Sequence, residues 1–330
     1  MQWFTKFDIP KQESPFKIED KFFSIGSCFA ESMGQRMKDS KFDILINPFG
    51  TIFHPLAISQ LLQASLEKTN VPEDLYLERD DMHFHYWAHS KIMGKSKVEV
   101  RGKLLGELAL CREYLIKSNV LILTLGTAWV YELKSTSDLV ANCHKKQGNL
   151  FQKRLTPLEE MKKSLVNTLQ LLKKENPQIH VVLTVSPVRH IKDGISENQL
   201  SKSLLRVLCD ELSREFENVG YFPAYEIMVD ELRDYRFYKP DMIHPTQQAE
   251  EYIWGKWIQT HFSQETIQLL NEIKQLKLDL AHRPLSPASN SHQKFLNSLK
   301  QKLERMSPRI DFTKELEEVN SQLSEFKNPS

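Results

Sequence analysis

Apolar and polar positions along the chain follow two rhythms. Mostly apolar runs, Phe22–Ile25, Val120–Leu125 and Ile179–Val185, have the pattern of strands buried on both faces. Asp43–Ile46 and Val219–Phe222 read as two shorter strands. Between them apolar residues recur every three or four positions, as along one side of a helix. Leu158, Met161, Leu165, Leu169 and Leu172 form one such stripe. It opens on a capping-box pattern at Thr156–Glu159, with Pro157 at the first helical position, and closes at Asn176-Pro177. Leu200, Leu204, Val207, Leu208, Leu212 and Phe216 form a second stripe, over residues 197–216. Helices are also expected over 29–38, 54–67, 106–117 and 246–261, and residues 135–155 read as a polar excursion. Strand, helix, strand recurs without hairpin signals. This predicts an α/β fold, a three-layer α/β/α sandwich around a mainly parallel sheet.

The character changes after Phe262. Leu269, Ile273, Leu276 and Leu280 step by four, three and four; Leu296, Leu299, Leu303 and Met306 do so approximately, as do Phe312, Leu316, Val319, Leu323 and Phe326. Residues 1–262 are therefore read as one domain and 263–330 as a helical, heptad-patterned tail. A linker rich in Pro, Ser and Asn is expected near 281–293. Such a tail folds back on the domain, forms a homo-oligomer or meets a partner, and the pattern does not choose among these.

Composition narrows the class. Of 330 residues 40% are hydrophobic and 26% charged, a globular balance. The formal net charge of +1 gives no bulk attraction to nucleic acid or to acidic membrane surfaces, so neither is expected as a partner. No apolar run is long enough to cross a bilayer, and the start, Met-Gln-Trp-Phe-Thr-Lys, lacks the basic-then-apolar pattern of an export signal. Cys28, Cys111, Cys143 and Cys209 are scattered without metal-type spacing, which fits a reducing, cytoplasmic setting.

The chemistry concentrates at strand ends. The first strand stops at Gly26 and turns straight into a helix, so Ser27 and Cys28 stand where a nucleophile would stand, beside free backbone N–H groups able to hold an oxyanion. Equally, Ser27 is a helix cap and Cys28 a small buried hydrophobe. Downstream, Asp241-x-x-His244 lets one turn aim a carboxylate at one imidazole nitrogen and leave the other free as a base. Gly50, in the loop Asn47-Pro48-Phe49-Gly50, and Gly126-Thr127 are candidates to supply oxyanion or substrate contacts. Arg189 and His190 follow the third long apolar run at the same sheet edge, where Arg189 reads either as an anion-binding group or as a structural ion-pair partner. His83-x-His85 alternates as in a strand, but no carboxylate or thiol completes a metal site, and no cofactor is called for.

Gly26-Ser27-Cys28-Phe29-Ala30 resembles the signature of the GSCFA family, which is similar to the SGNH (GDSL-type) hydrolases. Asn47–Thr51, Leu123–Thr127, Thr184–His190 and Asp241-x-x-His244-Pro245 carry the resemblance further, over about residues 1–262. It implies an SGNH-like fold with a flavodoxin-like strand order and a nucleophile–His–Asp triad acting on esters or acyl groups, with a small-molecule or carbohydrate ester as substrate. It also implies that His89, in an aromatic–His–Ser insertion, lines the substrate cleft. Two departures stand out. Aligned on the glycine, Cys28 takes the place of the SGNH hydrolases' nucleophilic serine and Ser27 that of their aspartate. Ala128 stands where the resemblance expects an oxyanion-binding asparagine, which leaves open an alternative, a ligand-binding module of weak or no activity with the helical tail as an interaction element.

Overall fold

The computed structural model describes residues 5–286 and 289–326. Pro287, within the expected linker, lies outside the described residues, as do the first four residues. In chain order, β1 (Lys21–Gly26) leads through α1 (Cys28–Asp39) to β2 (Asp43–Ile46) and α2 (Pro55–Glu67). A hairpin of β3 (Tyr76–Arg79) and β4 (Met82–His85) precedes α3 (Lys97–Lys117) and β5 (Val120–Leu125). Then come β6 (Trp129–Leu133), β7 (Leu139–Val140) and β8 (Phe151–Leu155), followed by α4 (Leu158–Glu175), β9 (His180–Val185), α5 (Ile195–Glu215) and β10 (Val219–Tyr221). A short turn, α6 (Ala224–Glu226), comes before α7 (Gln247–His261), α8 (Gln264–Ala281), α9 (Asn290–Met306) and α10 (Thr313–Glu325).

The central sheet has the order β10-β9-β5-β1-β2, with every pair parallel, which is the flavodoxin-like order expected. Phe22 pairs with Val120 and Val120 with His180, so the strands begin level and their carboxyl ends form one edge. Phe23, Ile25, Leu121, Leu123, Val181 and Leu183 share a core with buried residues of α2, α3, α4 and α5. The alternate positions, Phe22, Ile122 and Val182, are also buried and face the other side, the layer of α1 and α7. Arg36 of α1 joins these two helices by pairing with Glu250 and Glu251. The continuous apolar runs are explained by this two-sided burial.

Four details differ from the sequence reading. Antiparallel pairing is present: β3 with β4, and β6 with β7 and β8, so part of the expected polar excursion is sheet. Helix α3 begins at Lys97, capped by Ser96, well before residue 106; its Gly102 and Gly106 face open space and cost the helix only propensity. In α5, Leu200 and Val207 are 50% and 45% exposed, and the buried face is Asn198, Ser201, Lys202, Leu205, Leu208, Cys209 and Leu212. The capping box before α4 is not formed; Pro157 is the cap residue, and the Thr156 hydroxyl meets His54 Nε2 at 3.0 Å instead.

The chain divides into two compact units. One holds Met1–Pro10, Asp20–Arg36 and Asp43–Trp257; the other holds Lys11–Glu19, Met37–Phe42 and Ile258–Ser330. The second unit is thus more than the tail. Within it Phe42 and Phe262 lie 5.1 Å apart between ring centres, Phe16 stacks on His261, and Lys41 pairs with Glu315. Leu296, Leu299, Leu303 and Val319 are buried there, as their heptad-like spacing predicts.

Candidate active site

The turn after β1 is built around a glycine with no room for a side chain. Gly26 has φ +154°, and a Cβ there would stand 2.3 Å from the Thr124 carbonyl oxygen of β5. Its N–H donates to Asn47 Oδ1 at 2.9 Å, and the Ser27 N–H donates to Thr124 O at 3.1 Å. Ser27 is only 1% exposed. Its hydroxyl caps α1 by accepting the Phe29 N–H at 3.2 Å and donates to Ser186 Oγ at 2.8 Å. Cys28 opens the helix and is exposed at the cleft wall. As a first-turn residue its N–H has no intrahelical acceptor. Partial desolvation still pushes the Cys28 thiol up, and the Thr51 hydroxyl beside it offsets part of that rise.

The other half of the site is a short loop with local bonding. Asp241 Oδ1 accepts the N–H groups of Ile243 (2.9 Å) and His244 (3.0 Å), and its Oδ2 meets His244 Nδ1 at 2.7 Å. These bonds, led by the His244 N–H, hold the Asp241 carboxyl far below the usual range. Binding at Nδ1 leaves Nε2 as the imidazole nitrogen available for proton transfer. Lys239 N–H donates to His244 O at 2.8 Å, and Tyr238 bridges to Pro245, so the loop closes on itself. Arg189 pins it from β9's end: its Nη1 donates to Met242 O at 2.9 Å, its N–H to Ile243 O at 3.1 Å, and its guanidinium lies 5.3 Å from the Tyr238 ring centre. Of the two readings of Arg189, the ion pair has no carboxylate partner among the described residues; backbone carbonyls take its place.

A cleft of about 600 Å³ brings the two halves together, lined by Ser27, Cys28, His89, Thr127, Arg189, His190 and His244 among others. Ile52, Phe53, Val130 and Val140 give it an apolar floor, and Trp129 and Tyr131 a wall that Lys153 overlies. No hydrogen bond joins Cys28 to His244 among the described residues. The glycines act differently from expectation. The Gly50 N–H donates to Asn47 O and the Gly126 N–H to Phe53 O, both at 2.8 Å, so neither faces an oxyanion. Gly50 (φ +75°) serves close approach: a Cβ there would stand 2.4 Å from His89 Cβ. His190, its ring tilted against Phe53 with centres 5.0 Å apart, is held neutral by burial, its pKa pushed down to about 3. His85 and His144 are built into the fold: His85 Nε2 meets Pro72 O, and His144 sits between Ser90 Oγ and His85 O.

Sequence reasoning missed the α5 residues that hold the loops from below. Asn198 Oδ1 accepts the His190 N–H (2.7 Å), Ser201 Oγ meets Thr127 Oγ1 (3.0 Å) and accepts the Ala128 N–H (2.7 Å), and Lys202 Nζ donates to Gly126 O and Ser186 O (2.7 Å each). The signal was present: stepping back from Leu212 by threes and fours along the buried face lands on Ser201, Lys202 and Asn198.

Fold and cleft define a parallel-sheet α/β protein whose cleft, apolar with a few convergent polar groups, opens at the carboxyl edge of the strands, the edge where such sheets bind ligands. The chain belongs to the GSCFA family, whose profile matches residues 21–257. Residues 273–325 match the profile described as GSCFA domain protein, C-terminal domain. No curated protein matches the chain.

Proposed function

We propose that the cleft carries out acyl transfer from an ester through Cys28, His244 and Asp241. The observation that carries this reading is the Asp241–His244 pair, which leaves Nε2 free in the same cleft as the Cys28 thiol. Cys28 is preferred to Ser27 because the Ser27 hydroxyl is spent on Ser186 and on capping α1. The resemblance to SGNH hydrolases supports the same assignment.

In the first half-reaction Cys28 Sγ bonds to the ester carbonyl carbon and its proton passes to His244 Nε2. The tetrahedral oxyanion collapses, the C–O bond to the alcohol breaks, and the alcohol leaves with the proton from His244. The thioester on Cys28 is then attacked by water, or by an acceptor hydroxyl, whose proton passes to His244; the acyl group leaves and the thiol is restored. The same intermediate serves hydrolysis and transfer. Trp129 and Tyr131 on the wall favour a sugar ring as part of the substrate. The four unpaired cysteines suit a reducing, cytoplasmic setting, and no described helix is long and apolar enough to cross a membrane.

The missing Cys28–His244 bond and Ala128 in place of an asparagine favour a second reading, a binding module without efficient turnover. Turnover of p-nitrophenyl acetate by the protein and by Cys28→Ala, Ser27→Ala and His244→Ala separates the two. Loss in Cys28→Ala and His244→Ala but not in Ser27→Ala is expected. Equal background in all four would favour the binding module.

A further inference from the structure

Lys202 is a buried cation with no acid. It is 1% exposed, and no carboxylate pairs with it among the described residues. Its ammonium donates to two backbone carbonyls at 2.7 Å, Gly126 O at the end of β5 and Ser186 O at the end of β9, and lies 5.7 Å from the Tyr225 ring centre. A lysine placed so is costly to the fold, since its charge has only dipoles for company. A leucine or methionine would fill such a site without that cost. The position therefore calls for an explanation beyond packing.

The peptide it grips supplies one. Gly126–Thr127 is a trans peptide, so its carbonyl and N–H point in opposite directions. With the carbonyl drawn down onto Lys202, the Thr127 N–H points away from α5, and Thr127 lines the cleft. That N–H meets no acceptor among the described residues. Thr127 is itself clamped, its hydroxyl meeting Ser201 Oγ at 3.0 Å and accepting the Trp129 N–H at 3.1 Å. Ala128, next in the chain, offers the cleft no polar side chain.

We propose that Lys202 is a positioning residue that aims and polarises the Thr127 N–H as an oxyanion donor, partner to the Cys28 N–H. The inference rests on the acyl-transfer reading and deepens it: the oxyanion is met by backbone amides, one of them backed by a buried charge. A cation hydrogen-bonded to a carbonyl draws electron density through the amide and strengthens its N–H as a donor. Lys202 touches no substrate; it acts through the peptide.

Two reactions at the same sulfur test this. Acylation of Cys28 by p-nitrophenyl acetate forms an oxyanion; alkylation of Cys28 by iodoacetamide does not. In Lys202→Met the acylation rate should fall about 100-fold while alkylation changes little, the loss typical of one oxyanion donor. Equal losses in both rates would mean that Lys202 only supports the fold and would overturn the inference while leaving acyl transfer standing. No acylation of the unaltered protein would overturn the acyl-transfer reading and this inference with it.

A second measurement uses pH. Burial lowers the Lys202 pKa to about 7, so its charge is present below that pH and lost above it. The titratable groups facing it are His190, whose pKa is pushed down to about 3, and Tyr225, whose phenol is pushed up. Neither changes charge near neutrality, which leaves Lys202 to titrate there. The acylation-to-alkylation ratio cancels the ionisation of Cys28 that both reactions share, and dividing it by the same ratio in Lys202→Met cancels the part His244 plays in acylation alone. The resulting quotient should fall as pH rises from about 6 to about 9. A quotient constant over that range would overturn the proposed polarisation.

Discussion

The two halves of the cleft are held in opposite ways. The turn at Gly26–Cys28 is bonded to distant parts of the chain: Asn47 after β2, Thr124 in β5 and Ser186 after β9. The His244 loop is bonded mostly to itself, through Asp241, Lys239 and the Tyr238–Pro245 bridge, with Arg189 as its long-range pin. The first half is fixed by burial and the second by local hydrogen bonds near water. A nucleophile must not drift, whereas a base that exchanges protons with substrate and solvent needs access. The difference also separates stability from activity: damage to the turn should cost folding, and damage to the loop should cost turnover.

The largest effect on folding is expected at Gly26. Gly26→Ala places a Cβ against the Thr124 carbonyl at an unfavourable φ, and should lower unfolding free energy by about 3 kcal/mol or more in urea titrations. A loss under about 1 kcal/mol would break the comparison from the turn's side. Asp241→Asn tests it from the other side. It should reduce turnover of p-nitrophenyl acetate about 100-fold or more by misorienting His244, with the urea unfolding midpoint little changed.

Smaller effects sharpen the contrast. Ser27→Ala removes a cap and the buried hydrogen bond to Ser186 Oγ, so a loss of about 1–3 kcal/mol is expected while turnover stays within about tenfold. A stable but inactive Ser27→Ala would return Ser27 to the role of nucleophile. Lys202 predicts a pH signature of folding. Its folded pKa of about 7 lies below its ordinary 10.5, so the unfolded chain holds the proton more tightly and stability should rise with pH between those values. Calorimetry across that range should show the slope, and Lys202→Met should flatten it. The mildest change is Arg189→Ala: loosening the loop should cost turnover about three- to tenfold, read as kcat/KM.

The same contrast explains what could be read from the sequence. Asp241-x-x-His244 was legible because its bonds span three residues, and the strands because two-sided burial leaves apolar runs such as Val120–Leu123. The turn at Gly26 was visible as a strand ending in glycine, but its partners were not, since nothing local ties Ser27 to Ser186. Lys202, Ser201 and Asn198 were hidden for a different reason. Polar residues on a helix are ordinarily read as solvent-facing, and these three continue the buried face. Gly50 and Gly126 were read as oxyanion donors from their position after strands, whereas the Gly50 N–H closes a local turn onto Asn47 O and the Gly126 N–H reaches Phe53 O, far back in the chain. The second partner could not be read locally.

The central claim is that Cys28 carries the acyl group with His244 as its base. Mass mapping of the p-nitrophenyl acetate adduct in the unaltered protein and in His244→Ala tests it most directly. The account predicts an acetyl group on the peptide containing Cys28 in the unaltered protein, and its absence, or formation slowed about 100-fold or more, in His244→Ala. An adduct on Ser27, or one on Cys28 formed equally fast without His244, would contradict it.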